Sequence, residues 1–282
     1  MNITEKAMLV RLSISQWTAR RFDLKATNHV ISDFGAKRDS GRFNKMLVDL
    51  DAVKIYQKAA NEARTFHYDN TLPWGDDDSR ILPAKNYIPY TKKMRKLKDS
   101  FEKSVDDFVS LYPGLIERAE NNLNGLFNAK DYPSAADLDY KFRFSVNVSP
   151  VPDSGDFRVS LSDDEVDQIK SDIEARVRES VAAAMKDAWE RLFKVLKHMV
   201  DKLRDQKAIF RDSLVKNIQE LCDILPRLNL TDDKDLKKFI RETKQIISGL
   251  DPEILRKHEL DRKVAADQAD GILKKMAAYM GE

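Results

Sequence analysis

From Ser162 onward no proline or glycine occurs until Pro226, and the apolar residues in most of that stretch fall at fixed intervals. Proline removes an amide and glycine adds backbone freedom, so their joint absence from a long, charged segment leaves the α-helix as its natural state. Val166, Val177, Ala188 and Met199 recur every eleven residues, as do Ile173, Ala184 and Val195, and Val181, Leu192 and Leu203. That period corresponds to about 3.67 residues per turn and gives a stripe that runs straight or drifts slightly right-handed, unlike a heptad seam. The pattern predicts one amphipathic helix from Asp163 to Arg204, with a break near Gln206. Such a helix is about 63 Å long, more than one small core can cover, so part of it projects or meets a partner. Beyond Ala188 the residues Trp189, Phe193, Leu196 and Val200 add a second apolar flank. Burial is therefore expected on one side before Ala188 and on two sides after it. Ser162-Asp-Asp-Glu165 reads as a capping box at its start.

The rest of the chain supplies a small sheet and further helices. Leu9 to Trp17 alternates as a half-buried strand does, and so do Phe142, Phe144, Val146 and Val148. A Pro/Gly loop leads from the second run to Phe157, Val159 and Leu161, and all three runs are expected to join in one antiparallel sheet. Helical spacing marks Met46 to Phe66 and Tyr87 to Tyr112, the latter ended or kinked at Pro113-Gly114 and followed by a shorter helix through Leu115, Leu123 and Leu126. After the long helix come Ile209 to Leu225, Leu236 to Ile247, a turn begun by Asp251-Pro252-Glu253, and Leu260 to Met280. The expected class is mainly α with a small antiparallel β-sheet (α+β), a helical bundle around one long helix near residues 163–204. A basic α+β region over 1–161 precedes a helical region over 162–282.

An apolar fraction of 42% beside 34% charged residues supports a real core. No run of 18 apolar residues or signal-peptide core occurs, which points to the cytoplasm. The single cysteine, Cys222, lies among Ile218, Leu221 and Leu225 and reads as a buried, reduced thiol. The histidines His29, His67, His198 and His258 are scattered, so no zinc site is expected, and no phosphate-binding loop, dinucleotide fingerprint or Gly-x-Ser-x-Gly elbow is present. No catalytic residue, cofactor or metal site is assigned. Asp76, Asp77 and Asp78 would suit a hard cation but read better as a solvated turn. His67 with Asp69 reads as a capping or surface pair, although a site from Trp74 to Asp78 with His67 is the one enzymatic alternative.

Charge is unevenly spread. Residues 1–100 hold 19 basic and 12 acidic side chains, whereas residues 101–200 hold 13 and 19. The densest cationic cluster is Lys92, Lys93, Arg95, Lys96 and Lys98, opposite the apolar Tyr90, Met94, Leu97 and Phe101. It would neutralise phosphates without regard to base sequence, or else serve as a solvated face or pair with the acidic middle third. Arg20, Arg21, Lys37, Arg38, Arg42 and Lys45 would extend it if the fold gathers them.

Several segments together carry a resemblance: Gln16-Trp17 with Arg20-Arg21-Phe22-Asp23, Asp39-Ser-Gly-Arg-Phe-Asn-Lys45, Asn61 to Trp74, Pro152-Asp-Ser-Gly-Asp-Phe-Arg-Val159, Leu228-Asn-Leu-Thr-Asp-Asp233 and Met276-Ala-Ala-Tyr-Met280. Over nearly its whole length the chain resembles a phage and prophage family known as domain of unknown function number 3150. That resemblance implies a bacteriophage or mobile-element origin, a bacterial host cytoplasm, and an adaptor or scaffold role beside a MoxR-like AAA+ ATPase and a von Willebrand-type metal-binding protein. It implies no catalytic residues. The expected function is a non-enzymatic, oligomeric scaffold that self-associates or binds such a partner through Val166, Ile169, Ile173, Val177 and Val181. The alternative is a nucleic-acid-binding protein of phage replication, recombination or counter-defence, acting through the Lys92 to Lys98 cluster.

Overall fold

The computed structural model describes residues 3–75, 78–156, 162–205 and 211–280. The protein is 71% helical and 11% strand, with a four-stranded antiparallel sheet and a separate two-stranded one. The larger sheet has the order β4-β5-β1-β6, built from β1 (Ala7–Ser15), β4 (Leu72–Pro73), β5 (Arg80–Pro83) and β6 (Arg143–Pro150). The alternation expected at Leu9 and at Phe142 is thus present. The antiparallel partner of β1 that sequence reading missed is β5, in the register Ala7↔Pro83 to Val10↔Arg80. The third expected run, Phe157, Val159 and Leu161, lies outside the described residues.

The chain divides into two compact units that interleave in sequence, residues 1–11, 68–90 and 148–282 in one and residues 12–67 and 91–147 in the other. This does not follow a boundary at 161/162, because the sheet hairpin and both flanking segments pack with the C-terminal helices.

In the first unit the long helix is α5, Asp163–Arg204, the residues expected from the uninterrupted stripe. Its start differs from a capping box, for the Ser162 hydroxyl donates to the Glu165 carboxylate at 3.0 Å instead of accepting an amide. Helices α6 (Ser213–Leu228), α7 (Lys234–Ser248), α8 (Pro252–Lys257) and α9 (Glu259–Met280) follow. Asp251 caps α8 by accepting from the Glu253 amide at 2.7 Å, with Pro252 at the first helical position. The core of this unit draws on Ala184, Ala188, Leu192, Leu196 and Met199 of α5 together with Ile218, Leu225, Phe239, Ala269 and Met276 of the other helices.

In the second unit α2 (Leu50–Asp69) as far as His67 and α3 (Ala84–Leu123) from Thr91 bury an aromatic cluster in which Tyr56, Phe108 and Phe142 meet at centroid distances of 5.0 to 6.2 Å. The helix expected from Met46 begins instead at Leu50, because Met46 closes a short strand, β3 (Asn44–Met46), paired antiparallel with β2 (Arg20–Phe22). Pro113-Gly114 does not end α3. Proline forfeits only one backbone hydrogen bond, while Tyr112 and Leu115 on either side are buried and hold the helix on the core. Between β2 and β3 lies α1 (Leu24–Asp33), and α4 (Ala135–Asp139) precedes β6; neither shows a core stripe in sequence.

Candidate interaction surfaces

The exposed half of α5 is built by the positions at which its neighbours stop. Trp189 donates from its indole to the Asp233 carboxylate at 3.0 Å, and Asp233 is the residue that caps the start of α7. Its ring meets Phe239 of α7 at 5.6 Å and stacks on Tyr279, one residue from the end of α9, at 4.9 Å. At its other end α5 receives Arg262 of α9, whose guanidinium donates to the carbonyls of Leu203 at 2.8 Å, Lys202 at 3.2 Å and Asp205. The helices α6, α7 and α9 therefore flank α5 from about Trp189 to Arg204. The first fully buried residue of α5 is Ala184.

Before that point Val166, Ile169, Ile173, Val177 and Val181 are all half-buried. Val177 and Val181 pack on the edge of the core, and Ile173 and Val177 border a cleft whose other wall is Ile3, Thr4 and the Pro152–Ser154 loop. The Ser154 hydroxyl donates to Glu174 at 2.9 Å across it. Among the described residues Val166 and Ile169 belong to neither core cluster. The candidate surface is thereby narrowed: the Ile173 to Val181 part is partly lined by the chain itself, and the part that meets no core side chain among the described residues is Val166 to Ile169.

The five cations of the basic cluster are all exposed on α3, opposite the buried Tyr90, Met94, Leu97 and Phe101. Lys98 pairs with Glu102 at 3.5 Å. Lys92, Lys93, Arg95 and Lys96 form no ion pair among the described residues.

The residues that would have extended this cluster do not join it. Lys45 is buried, its ammonium 2.8 Å from Asp131, 3.0 Å from Asp23 and 2.6 Å from the Leu126 carbonyl, to which it donates. Burial pulls that ammonium down, and the hydrogen bonds to Asp131 and Asp23 outweigh it, so its pKa lies above the ordinary lysine value. Asp23 in turn caps α1 by accepting from the Ala26 amide at 3.0 Å. This cluster sits where α3 ends, about 40 Å along the helix from Arg95 at 1.5 Å per residue. The two basic groups are separate.

The remaining polar sites are structural. Arg191 of α5 donates to the carbonyls of Asp69 at 3.0 Å and Thr71 at 2.8 Å and pairs with Asp187 at 2.7 Å. Arg80 donates to the same Thr71 carbonyl at 3.1 Å and lies over the Tyr68 ring at 4.8 Å. Burial first, then the neighbouring Arg191, lowers the Arg80 pKa. Together the two arginines pin the β4 end of the sheet to α5. Sequence reading missed them because each looks like an isolated surface cation. His67 is buried rather than on the surface, Asp78 is exposed and 3.7 Å from Arg11, and Asp76 and Asp77 lie outside the described residues. Cys222 is fully buried, and burial pushes its thiol up to about 12. Among the described residues no group of three or more His, Cys, Asp or Glu is placed to hold a metal ion, and no helix is long and apolar enough to cross a membrane.

No protein-family model, curated protein or solved structure matches the chain.

Proposed function

We propose that the protein is a non-enzymatic scaffold that assembles through the first half of α5. The observation that carries this reading is the meeting of Asp233, Phe239 and Tyr279 at Trp189, beyond which the apolar stripe continues for several turns beside no other long helix among the described residues. A half-exposed stripe of valine and isoleucine on a helix that is already folded presents i, i+3, i+4 anchors to a partner. Self-association is the reading tested first. The resemblance to the phage family adds an AAA+ ATPase as the kind of machine such a scaffold would serve. Light scattering on the purified chain should give a mass above the 32.5 kDa of one copy, and Val166→Ser with Ile169→Ser should return it to that value. A mass of one copy throughout the micromolar range removes the proposal.

The second reading, nucleic-acid binding, is favoured by the four α3 cations that form no ion pair among the described residues. Binding should weaken steeply with salt, with a log-log slope of about −3 to −4 for four phosphates. Lys92→Glu with Lys96→Glu should abolish it. A mobility shift at low salt that shows no complex with DNA or RNA rejects this reading.

A further inference from the structure

Residues 20–46 form an excursion made of β2, α1 and β3 whose only buried side chains are Thr27 and Lys45, both polar. It is anchored by the Lys45, Asp23 and Asp131 cluster and by Thr27, whose hydroxyl donates to the Asp23 carbonyl at 2.7 Å and accepts from the Phe43 amide at 3.0 Å. Its apolar side chains are left outside. Phe34 is 83% exposed and Leu24 55%, and Phe22, Val30 and Phe43 are exposed as well. Leu24, Val30, Ile31 and Phe34 fall within about 120° of the α1 circumference, so they make one face. The same excursion carries exposed Arg20, Lys25, Lys37, Arg38 and Arg42, none in an ion pair among the described residues, against the exposed carboxylates Asp33, which meets His29 at 3.5 Å, and Asp39; Arg42 rests over the Phe22 ring at 5.7 Å.

The first half of α5 has the opposite net character. Around its half-buried stripe, Asp163, Asp164, Glu165, Asp167, Asp172 and Glu179 form no ion pair among the described residues and outnumber the cations of the same stretch, Lys170, Arg176 and Arg178. Every copy of the chain thus carries one apolar face of net positive surroundings and one apolar stripe of net negative surroundings, most of whose charges form no ion pair among the described residues.

We infer that the occupant of the residue 20–46 face is the acidic first half of α5 from a second copy of this chain. The inference rests on the scaffold reading above and names its partner. Each surface supplies the apolar area and the counter-charge that the other lacks, so burial and ion pairing act together at the contact. Aliphatic and phenyl groups, rather than hydrogen-bonding side chains, form the centre of the basic face, which suits a helix better than a phosphate backbone. Because the two surfaces differ, the association is head-to-tail, and copies add in one direction until a ring closes or a filament grows.

Charge reversal tests the pairing on the full chain. Asp167→Lys with Asp172→Lys reverses the α5 surface, and Lys37→Glu with Arg38→Glu reverses the excursion; all four positions are exposed, and circular dichroism checks that both variants remain folded. Light scattering should show assembly of the parent chain, the single-copy mass of 32.5 kDa for each variant alone, and restored assembly when the two are mixed in equal amounts. Restoration depends on complementary charge and is not produced by damaged folding. If only the α5 variant dissociates, the stripe meets something other than the excursion, so this inference falls while the scaffold reading stands. A parent chain that stays single removes both. Loss in both variants without restoration overturns the inference, as does an excursion variant that assembles normally but no longer binds nucleic acid.

Discussion

Tyr279 stacks on Trp189 at 4.9 Å, and this contact marks the place along α5 where its flanking helices end, about one turn before burial along α5 gives out at Ala184. C-terminal to it, α5 contributes core side chains and is held on several sides. N-terminal to it, the same eleven-residue repeat continues without a long partner.

The two halves should therefore respond differently to substitution. Trp189→Ala removes a buried ring together with its bond to Asp233 and should cost about 3 to 5 kcal/mol in urea unfolding. Ile169→Ser, in the open half, should change the stability of the dissociated chain by less than about 1 kcal/mol and act on assembly instead. Equal losses of stability in both would show that the first half is covered by its own chain.

Lys45 holds two carboxylates in one buried place. Lys45→Ala leaves Asp23 and Asp131 facing each other without a cation and should cost about 3 to 5 kcal/mol. The readout is chemical denaturation of the full chain. A loss below about 1 kcal/mol would mean that the cluster behaves as a surface pair.

Asp232 receives Lys85 at 2.7 Å, Lys237 at 3.0 Å and Lys6 at 3.5 Å. Hydrogen bonds from Lys85 and Lys237 hold its carboxyl well below the usual carboxylate range. A depressed folded pKa stabilises fully above the unfolded value of about 4, and the effect is lost as pH falls below it. Tm should thus fall as pH drops through the acidic range, and Asp232→Asn should flatten that limb of the profile. An unchanged slope contradicts the assignment.

Cys222, with its thiol pushed up to about 12, holds almost no thiolate at neutral pH and is shielded by the core. Alkylation of the native chain should proceed only through opening of the helices and accelerate with denaturant. Stoichiometric labelling of the folded chain within minutes, read by mass spectrometry, would refute its burial.

The helical half of this fold was legible because its signals are local. An eleven-residue stripe without proline or glycine defines α5 from end to end, and Asp251-Pro252-Glu253 marks α8 through a capping bond made within three residues. The features that sequence reading missed depend on partners far apart in the chain. Arg80-Ile-Leu-Pro83 is too short to show alternation and becomes a strand only against Ala7 to Val10. Lys45 reads as one more surface cation until Asp23 and Asp131 arrive from elsewhere. The helix α1 gave no signal because it has no core stripe: its apolar face points away from the aromatic core of its unit, and that same property makes it a candidate surface. Of the candidate α5 residues, Val166 and Ile169 lie on the open part, whereas Val177 and Val181 rest on the core edge, a distinction that depends on the position of the Pro152–Ser154 loop.

The most direct test of the central claim follows a thiol placed on the open stripe. With Cys222→Ala as background, Ile169→Cys puts the only reactive group on that surface, and its alkylation rate is measured as the protein concentration is raised. The thiol should be alkylated readily in dilute solution, more slowly than a fully exposed one because the position is half-buried, and the rate should fall as copies assemble and cover the stripe. A rate that stays fast at every concentration, with the chain still at 32.5 kDa, would contradict it.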